Sequence, residues 1–305
     1  MKSRAFKSIN PKGIYWIWYI IPALLIYAVF MAYPLLDSIR ISFYSGPTQE
    51  RVFVGLENFV QLFADSARSA QFWNAFGNTW YFFFIHMAVQ NVLGIVFATI
   101  LTAPGMRGSA VYRTIIFMPT TFAVLVTGYL WSLLLNPIWS RGILSAVGLE
   151  TLARPWLGQE STALTFVGLV SSWQWVGIPT MIFVAALSNI SEDLYEAADI
   201  EGASQWDLFW RIKVPLISPV IGLVAVLTFV NNFNAFDIVF AMTNVNGAPG
   251  FSTDLIGTLF FRTGIAGQHP IGIPEPGMGA AIATLTFLML ATVSFVVISL
   301  TRTKE

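Results

Sequence analysis

Six long windows without a charged residue constrain this chain more than any other feature: 14–36, 80–103, 114–139, 163–190, 214–236 and 277–300. A helix needs about 20 apolar residues to cross about 30 Å of hydrocarbon, and every window is long enough. Charges, Pro/Gly clusters or both bound each one, as expected where a span ends. Only 10% of the residues are charged and 56% are hydrophobic, whereas a soluble domain averages about 25% charged. The windows predict an all-α integral membrane protein with six transmembrane helices. They form a single domain over 14–300 between tails at 1–13 and 301–305. The first window is long, rich in Trp and Tyr and without a small-residue cleavage pattern, so it reads as a retained anchor rather than a signal peptide.

Composition removes several functions. Sixteen basic and sixteen acidic residues cancel, which argues against a nucleic-acid surface. There is no cysteine, so disulfides and thiolate metal sites are excluded. The two histidines, His86 and His269, are far apart, so neither a metal centre nor a His-based triad is expected.

Six spans put both termini on one side, and Lys and Arg collect in cytoplasmic segments. With the N-terminus inside, the inner set is Lys2, Arg4, Lys7, Lys12, Arg107, Arg113, Arg211, Lys213, Arg302 and Lys304. The outer set is Arg40, Arg51, Arg68, Arg141, Arg154 and Arg262. All the lysines fall inside. Of the outer segments, 53–65 has the pattern of a short amphipathic surface helix, and 137–160 and 241–276 are rich in Gly, Pro and aromatic residues.

The inner segment between the fourth and fifth windows is unusually charged, with Glu196, Asp199, Glu201, Asp207, Arg211 and Lys213. Ser191 suits a helix N-cap, with Glu192 and Asp193 where the helix dipole favours acids. Gly202 suits the stop, because glycine tolerates a positive φ. Ser204 to Asp207 has the S-x-x-D form of a second start, and Pro215 and Pro219 lead into the next span. Helix, sharp turn, helix is predicted. Residues alone leave two readings open, an amphipathic connector and a docking element for a soluble partner.

Glu196-Ala197-Ala198, Gly202 after three intervening residues, and then Ile212-x-x-Pro215 resemble the EAA motif of permease subunits of binding-protein-dependent ABC importers. The chain is similar to the carbohydrate-uptake branch, in its maltose-type or glycerol-3-phosphate-type first permease subunit. Tyr33-Pro34, Ser42-Phe43, the run 53–59, Asn78-Thr79, Tyr112-Arg113 with Pro119, the run 233–237 and Met242-Thr243 carry that similarity over most of the sequence. Segments 244–253 and 264–277 depart from it, and both are outer segments.

The resemblance implies the type I importer permease fold, with cytoplasmic coupling helices over 191–215. Glu196, Ala197, Ala198, Asp199, Gly202, Ala203 and Pro215 then form the ATPase-coupling segment, with Glu196 making charged contacts, the alanines packing into the ATPase groove and Gly202 making the turn. It implies as partners a second homologous permease, a dimer of ABC ATPase subunits and an extracytoplasmic solute-binding protein. The place is the bacterial or archaeal inner membrane, in a lipid bilayer, and the cargo is a small molecule of carbohydrate type. The sequence carries no G-x-x-x-x-G-K-[ST]. ATP and Mg therefore belong to the partner ATPase, no cofactor to this chain, and the chain is not itself an enzyme.

Polar residues inside spans face a cavity or a neighbouring helix. Asn231, Asn234 and Asp237 are three apart, which predicts one helical face. Their amides and carboxylate suit sugar hydroxyls, and Phe233 offers a flat apolar partner. Trp173 and Gln174 in the fourth window combine stacking with hydrogen bonding. Helix–helix bonding and interfacial anchoring are the plainer readings of these groups, as packing is for His86 with Gln90 and Asn91. The windows contain no acid, which counts against an ion-coupled transporter, and no acidic cluster has a His or Cys partner, which counts against a membrane enzyme. The same ABC machinery with a glycerol-phosphate, polyol or amino-acid cargo remains an alternative.

Overall fold

The computed structural model describes residues 15–47, 49–267 and 272–301. The tail at 1–13, the tail from 302 onward and His269 lie outside the described residues. The helices are α1 (Trp18–Ile41), α2 (Glu57–Ala64), α3 (Ser66–Leu101), α4 (Ser109–Thr121), α5 (Val124–Leu134), α6 (Pro137–Ala146) and α7 (Glu160–Trp175). They continue with α8 (Gly177–Ser188), α9 (Glu192–Ile200), α10 (Gln205–Leu216), α11 (Ser218–Phe233), α12 (Asp237–Thr243), α13 (Ile256–Ala266) and α14 (Pro276–Thr301). Between α1 and α2, strand β1 (Tyr44–Ser45) pairs antiparallel with β2 (Val52–Phe53).

Among the described residues three helices, α1, α3 and α14, are each long and apolar enough to cross a membrane. Three further candidates are bent pairs: α4 with α5 at 94°, α7 with α8 at 47°, and α10 with α11 at 68°. Counting each pair as one span gives six. An uncharged window is blind to such breaks. Phe122 and Ala123 are extended, and Pro119, Pro179 and Pro219 lie beside the three breaks, where proline removes a backbone donor.

Boundaries differ from the windows where a helix runs on past its uncharged stretch. At 36 residues and about 1.5 Å per residue, α3 is about 54 Å long, well beyond the hydrocarbon thickness. Its charged first turn starts at Ser66, ahead of the window at 80. Asp65 caps it, its carboxylate accepting from the amides of Ala67 (2.9 Å) and Arg68 (3.1 Å). Those bonds, that from Arg68 first, hold the Asp65 carboxyl below its ordinary range. Helix α1 likewise continues past residue 36, where Arg40 pairs with Asp37 one turn back (2.8 Å).

Helix α3 is the axis of the core. Its first part packs Phe72 and Ala75 against Leu62 of α2, Ile256 and Leu259 of α13, and Met278 and Ile282 of α14. Its middle brings Phe82 to Val167 and Val170 of α7 and Ile238 and Val239 of α12. Its end places Ala98 and Leu101 against Phe183, Val184 and Leu187 of α8 and Val224 of α11. The outward faces are apolar, with Trp18, Phe30, Leu36 and Phe295 exposed, the surface a bilayer covers.

Candidate functional site

Helix α3, the α7–α8 kink and the α11–α12 turn enclose a cavity of about 360 Å³. Helix α11 ends at Phe233, so Asn231, Asn234 and Asp237 do not share one helical face. They reach the cavity together because the chain turns through 234–236 before α12 begins at Asp237. In that turn Asn234 donates its side-chain amide to the Val230 carbonyl (3.0 Å).

Three of the predicted pathway residues are elsewhere. Phe233 is buried behind the cavity wall, ringed by Phe229 (4.7 Å), Trp80 (5.4 Å) and Phe76 (6.2 Å). Trp173 sits edge-on to Trp131 at 5.4 Å and is partly exposed away from the cavity. Gln174 is fully buried and donates to the Phe122 carbonyl (3.0 Å).

Other polar groups complete this lining. His86 and Gln90 line the cavity with Ser171, Thr228 and Asn232, supplied by a wide π-helical turn over His86–Asn91. The His86 ring contacts the Phe82 carbonyl through Nδ1 (2.8 Å) and Ser171 Oγ through Nε2 (2.9 Å). A carbonyl only accepts, so Nδ1 carries the proton, and in the neutral ring Ser171 donates to Nε2. Asn91 ties the same turn to Thr228 of α11 (3.0 Å). His86 and Gln90 were visible as an i, i+4 pair, and hydrogen bonding and cavity lining turn out to be compatible. Ser171, Thr228 and Asn232 had no signal beyond being polar inside a window. Trp175 and Phe236 add aromatic faces, and Ile178, Pro179 and Leu227 an apolar wall. Asp237 is the acid in this lining, which holds no Lys or Arg. No group of His, Asp or Glu among the described residues is arranged to hold a metal.

The second feature is the hairpin of α9 and α10. Ser191 caps α9 by accepting from the Asp193 amide (3.3 Å). Gly202, at φ +73°, ends it in a Schellman turn: Gly202 N–H donates to Asp199 O (3.1 Å) and Ala203 N–H to Ala198 O (3.0 Å). Ser204 caps α10 by accepting from the Asp207 amide (3.1 Å), and its hydroxyl donates back to the Asp207 carboxylate (2.5 Å). That hydroxyl first, then Arg211 at 3.2 Å, holds the Asp207 carboxyl below its ordinary range. Glu196, Ala197, Asp199 and Gly202 are exposed and Ala203 is half-buried. Ala198 is only 5% exposed, so within this chain it is covered and Ala197 is the alanine left open. Pro215 is exposed at the end of α10. Ile200, Trp206 and Trp210 give the hairpin an exposed apolar side beside its acids.

Bent apolar helices around a polar cavity, joined by an acidic hairpin, define a membrane permease. The profile of the family described as binding-protein-dependent transport system inner membrane component matches residues 90–303, and the chain belongs to that family. It is 31% identical over 289 residues to the trehalose/maltose transport system permease protein MalF of Thermococcus litoralis, covering 93% of this chain and 92% of that one. It is 28% identical to the lactose transport system permease protein LacF of Rhizobium radiobacter, covering 91% and 90%. The fold matches a solved bacterial ABC transporter involved in alginate import, with TM-score 0.78, 21% identity and 94% and 95% coverage. The chain is thus a permease subunit of a binding-protein-dependent ABC importer, and ATP hydrolysis is the work of a separate subunit.

Proposed function

We propose that this permease passes a neutral sugar or oligosaccharide across the inner membrane. The observation that carries this reading is the cavity lining. Side-chain amides, hydroxyls and an imidazole alternate there with aromatic and apolar faces, and Asp237 stands without a basic neighbour. Hydroxyl-rich, uncharged solutes match such a surface. A glycerol-phosphate would call for a cation to meet the phosphate. Relatives named for lactose and for trehalose and maltose agree with the sugar reading.

The chain crosses the membrane six times, through α1, α3, the α4–α5 pair, the α7–α8 pair, α11 and α14, with both termini and the α9–α10 hairpin on the cytoplasmic side. Glu196, Ala197, Asp199, Gly202 and Ala203 meet a dimer of ATPase subunits that bind ATP and Mg. Ala198 and Pro215 hold the hairpin's shape and its exit. Asn231, Asn234 and Asp237 contact cargo together with Gln90 and Ser171. A second permease completes the pathway, and an extracytoplasmic binding protein delivers the cargo. The solved alginate importer in complex with its pentasaccharide-bound periplasmic protein, similar in fold at TM-score 0.73, is consistent with that arrangement.

The test is uptake by proteoliposomes holding both permeases and the ATPase, with binding protein outside and ATP inside. Accumulation of labelled maltodextrin or lactose that requires ATP and persists with an uncoupler is expected. Uptake that collapses with the ion gradient and ignores ATP would overturn the reading.

A further inference from the structure

We infer that Gln174 is a positioning residue that joins two helix breaks into one moving corner, and so links the hairpin to the cavity wall. This rests on the importer reading above. Gln174 lies one residue before the end of α7, where the chain bends by 47° into α8. Its amide donates to the carbonyl of Phe122 (3.0 Å), and Phe122 sits at the 94° bend from α4 to α5. A break inside a span frees backbone carbonyls that lipid cannot satisfy. The Gln174 amide therefore meets a group for which the membrane offers no substitute.

One further contact and the burial of Gln174 make the joint firm. Gly177, the first residue of α8, lies so close to α4 that a Cβ there would come within 2.8 Å of Phe117 Cα and 2.9 Å of the Ile116 carbonyl. Gln174 is itself fully buried, so its side chain has no room to swing away. The joint also borders the cavity on both sides: Val124 follows the first break, and Trp175 and Ile178 flank the second. At its far end α8 runs through Ser188 to Ser191, the cap of the hairpin. Displacement of the hairpin acts along α8 on this corner. The Gln174 bond obliges the α4–α5 corner to follow, which moves Val124 with Trp175.

The test uses the complete reconstituted importer and measures cargo transported per ATP hydrolysed. Gln174→Met keeps length and bulk but removes the donor, and Gln174→Asn keeps the donor but falls short of Phe122. Both are expected to lower cargo per ATP by about fivefold to tenfold, the scale of one hydrogen bond lost from a moving joint. The binding-protein concentration at half-maximal stimulation stays unchanged. Ser172→Ala, a buried neighbour that bridges nothing, keeps the wild-type ratio. An unchanged ratio in either Gln174 variant, or an equal loss in Ser172→Ala, overturns the inference. Failure of the unaltered importer to move any sugar would instead strike the functional reading.

Discussion

The guanidinium of Arg262 meets the carboxylate of Asp254 at 2.6 Å, with both side chains no more than 2% exposed. Thr258 donates to the same carboxylate (2.7 Å), Arg262 also donates to the Val245 carbonyl (3.1 Å), and the Phe251 ring lies 5.2 Å from the guanidinium. Phe251 holds a positive φ of 60°, and its carbonyl accepts from Asn74 of α3 (2.8 Å). The pair thus fastens the segment between α12 and α13 to the body of the protein.

Removing one partner leaves the other charge buried and unpaired. Arg262→Ala is expected to lower stability by about 3–5 kcal/mol, read as thermal unfolding of the purified complex in nanodiscs. Asp254→Leu combined with Arg262→Met should recover most of that loss. A double variant as unstable as the single one would show that the charges themselves are needed.

Reversing the charge of exposed Glu196 tests the hairpin as a docking element. Glu196→Lys is expected to insert and assemble normally. ATP hydrolysis stimulated by loaded binding protein should fall by about tenfold or more, the scale of a charged contact turned repulsive. Normal stimulation in that variant would sink the docking role.

For the cavity, Asn234→Ala shortens a side chain at the α11–α12 turn without touching the core. It is expected to raise the cargo concentration for half-maximal uptake by about tenfold, the scale of one or two hydrogen bonds to a hydroxylated ligand. An unchanged substrate dependence would remove Asn234 from the pathway.

The Asp65 cap should respond to acid. Its folded carboxyl is held below the unfolded value by the Arg68 and Ala67 amides. The stabilisation is therefore present above the unfolded value and lost as pH falls through the folded one. Amide exchange in the first turn of α3 should rise over that acid window in the native chain. Asp65→Asn, which caps without titrating, should show no such rise.

Local signals read well from sequence, and distant ones did not. Ser191, Gly202 and Ser204 act within a few residues of themselves, so the capped hairpin was legible before any coordinates. The apolar windows marked the long apolar helices, but hydropathy has no direction, so it missed the bends at Phe122, Val176 and Ile217, where only the nearby Pro119, Pro179 and Pro219 leave a trace. Asn231, Asn234 and Asp237 do line one cavity, but through the turn after α11 and not through the helical spacing that suggested the group. The partner of Gln174, a backbone carbonyl 52 residues away, could not be read from side-chain chemistry. Asp254 and Arg262 stood in a segment read only as a loop, and their pairing depends on the fold around them.

The three local closures of the α9–α10 hairpin also bear on how fast and how tightly it is recognised. Fixing a single residue's backbone costs about 1–2 kcal/mol, and a floppy loop of this length would charge that cost to whichever protein seized it. Here both ends of α9 and the start of α10 are already tied off by their own serine or glycine. Under the proposed docking, an ATPase meets a finished shape and bears little of that ordering cost, which leaves more of the binding energy to move the helices behind the hairpin.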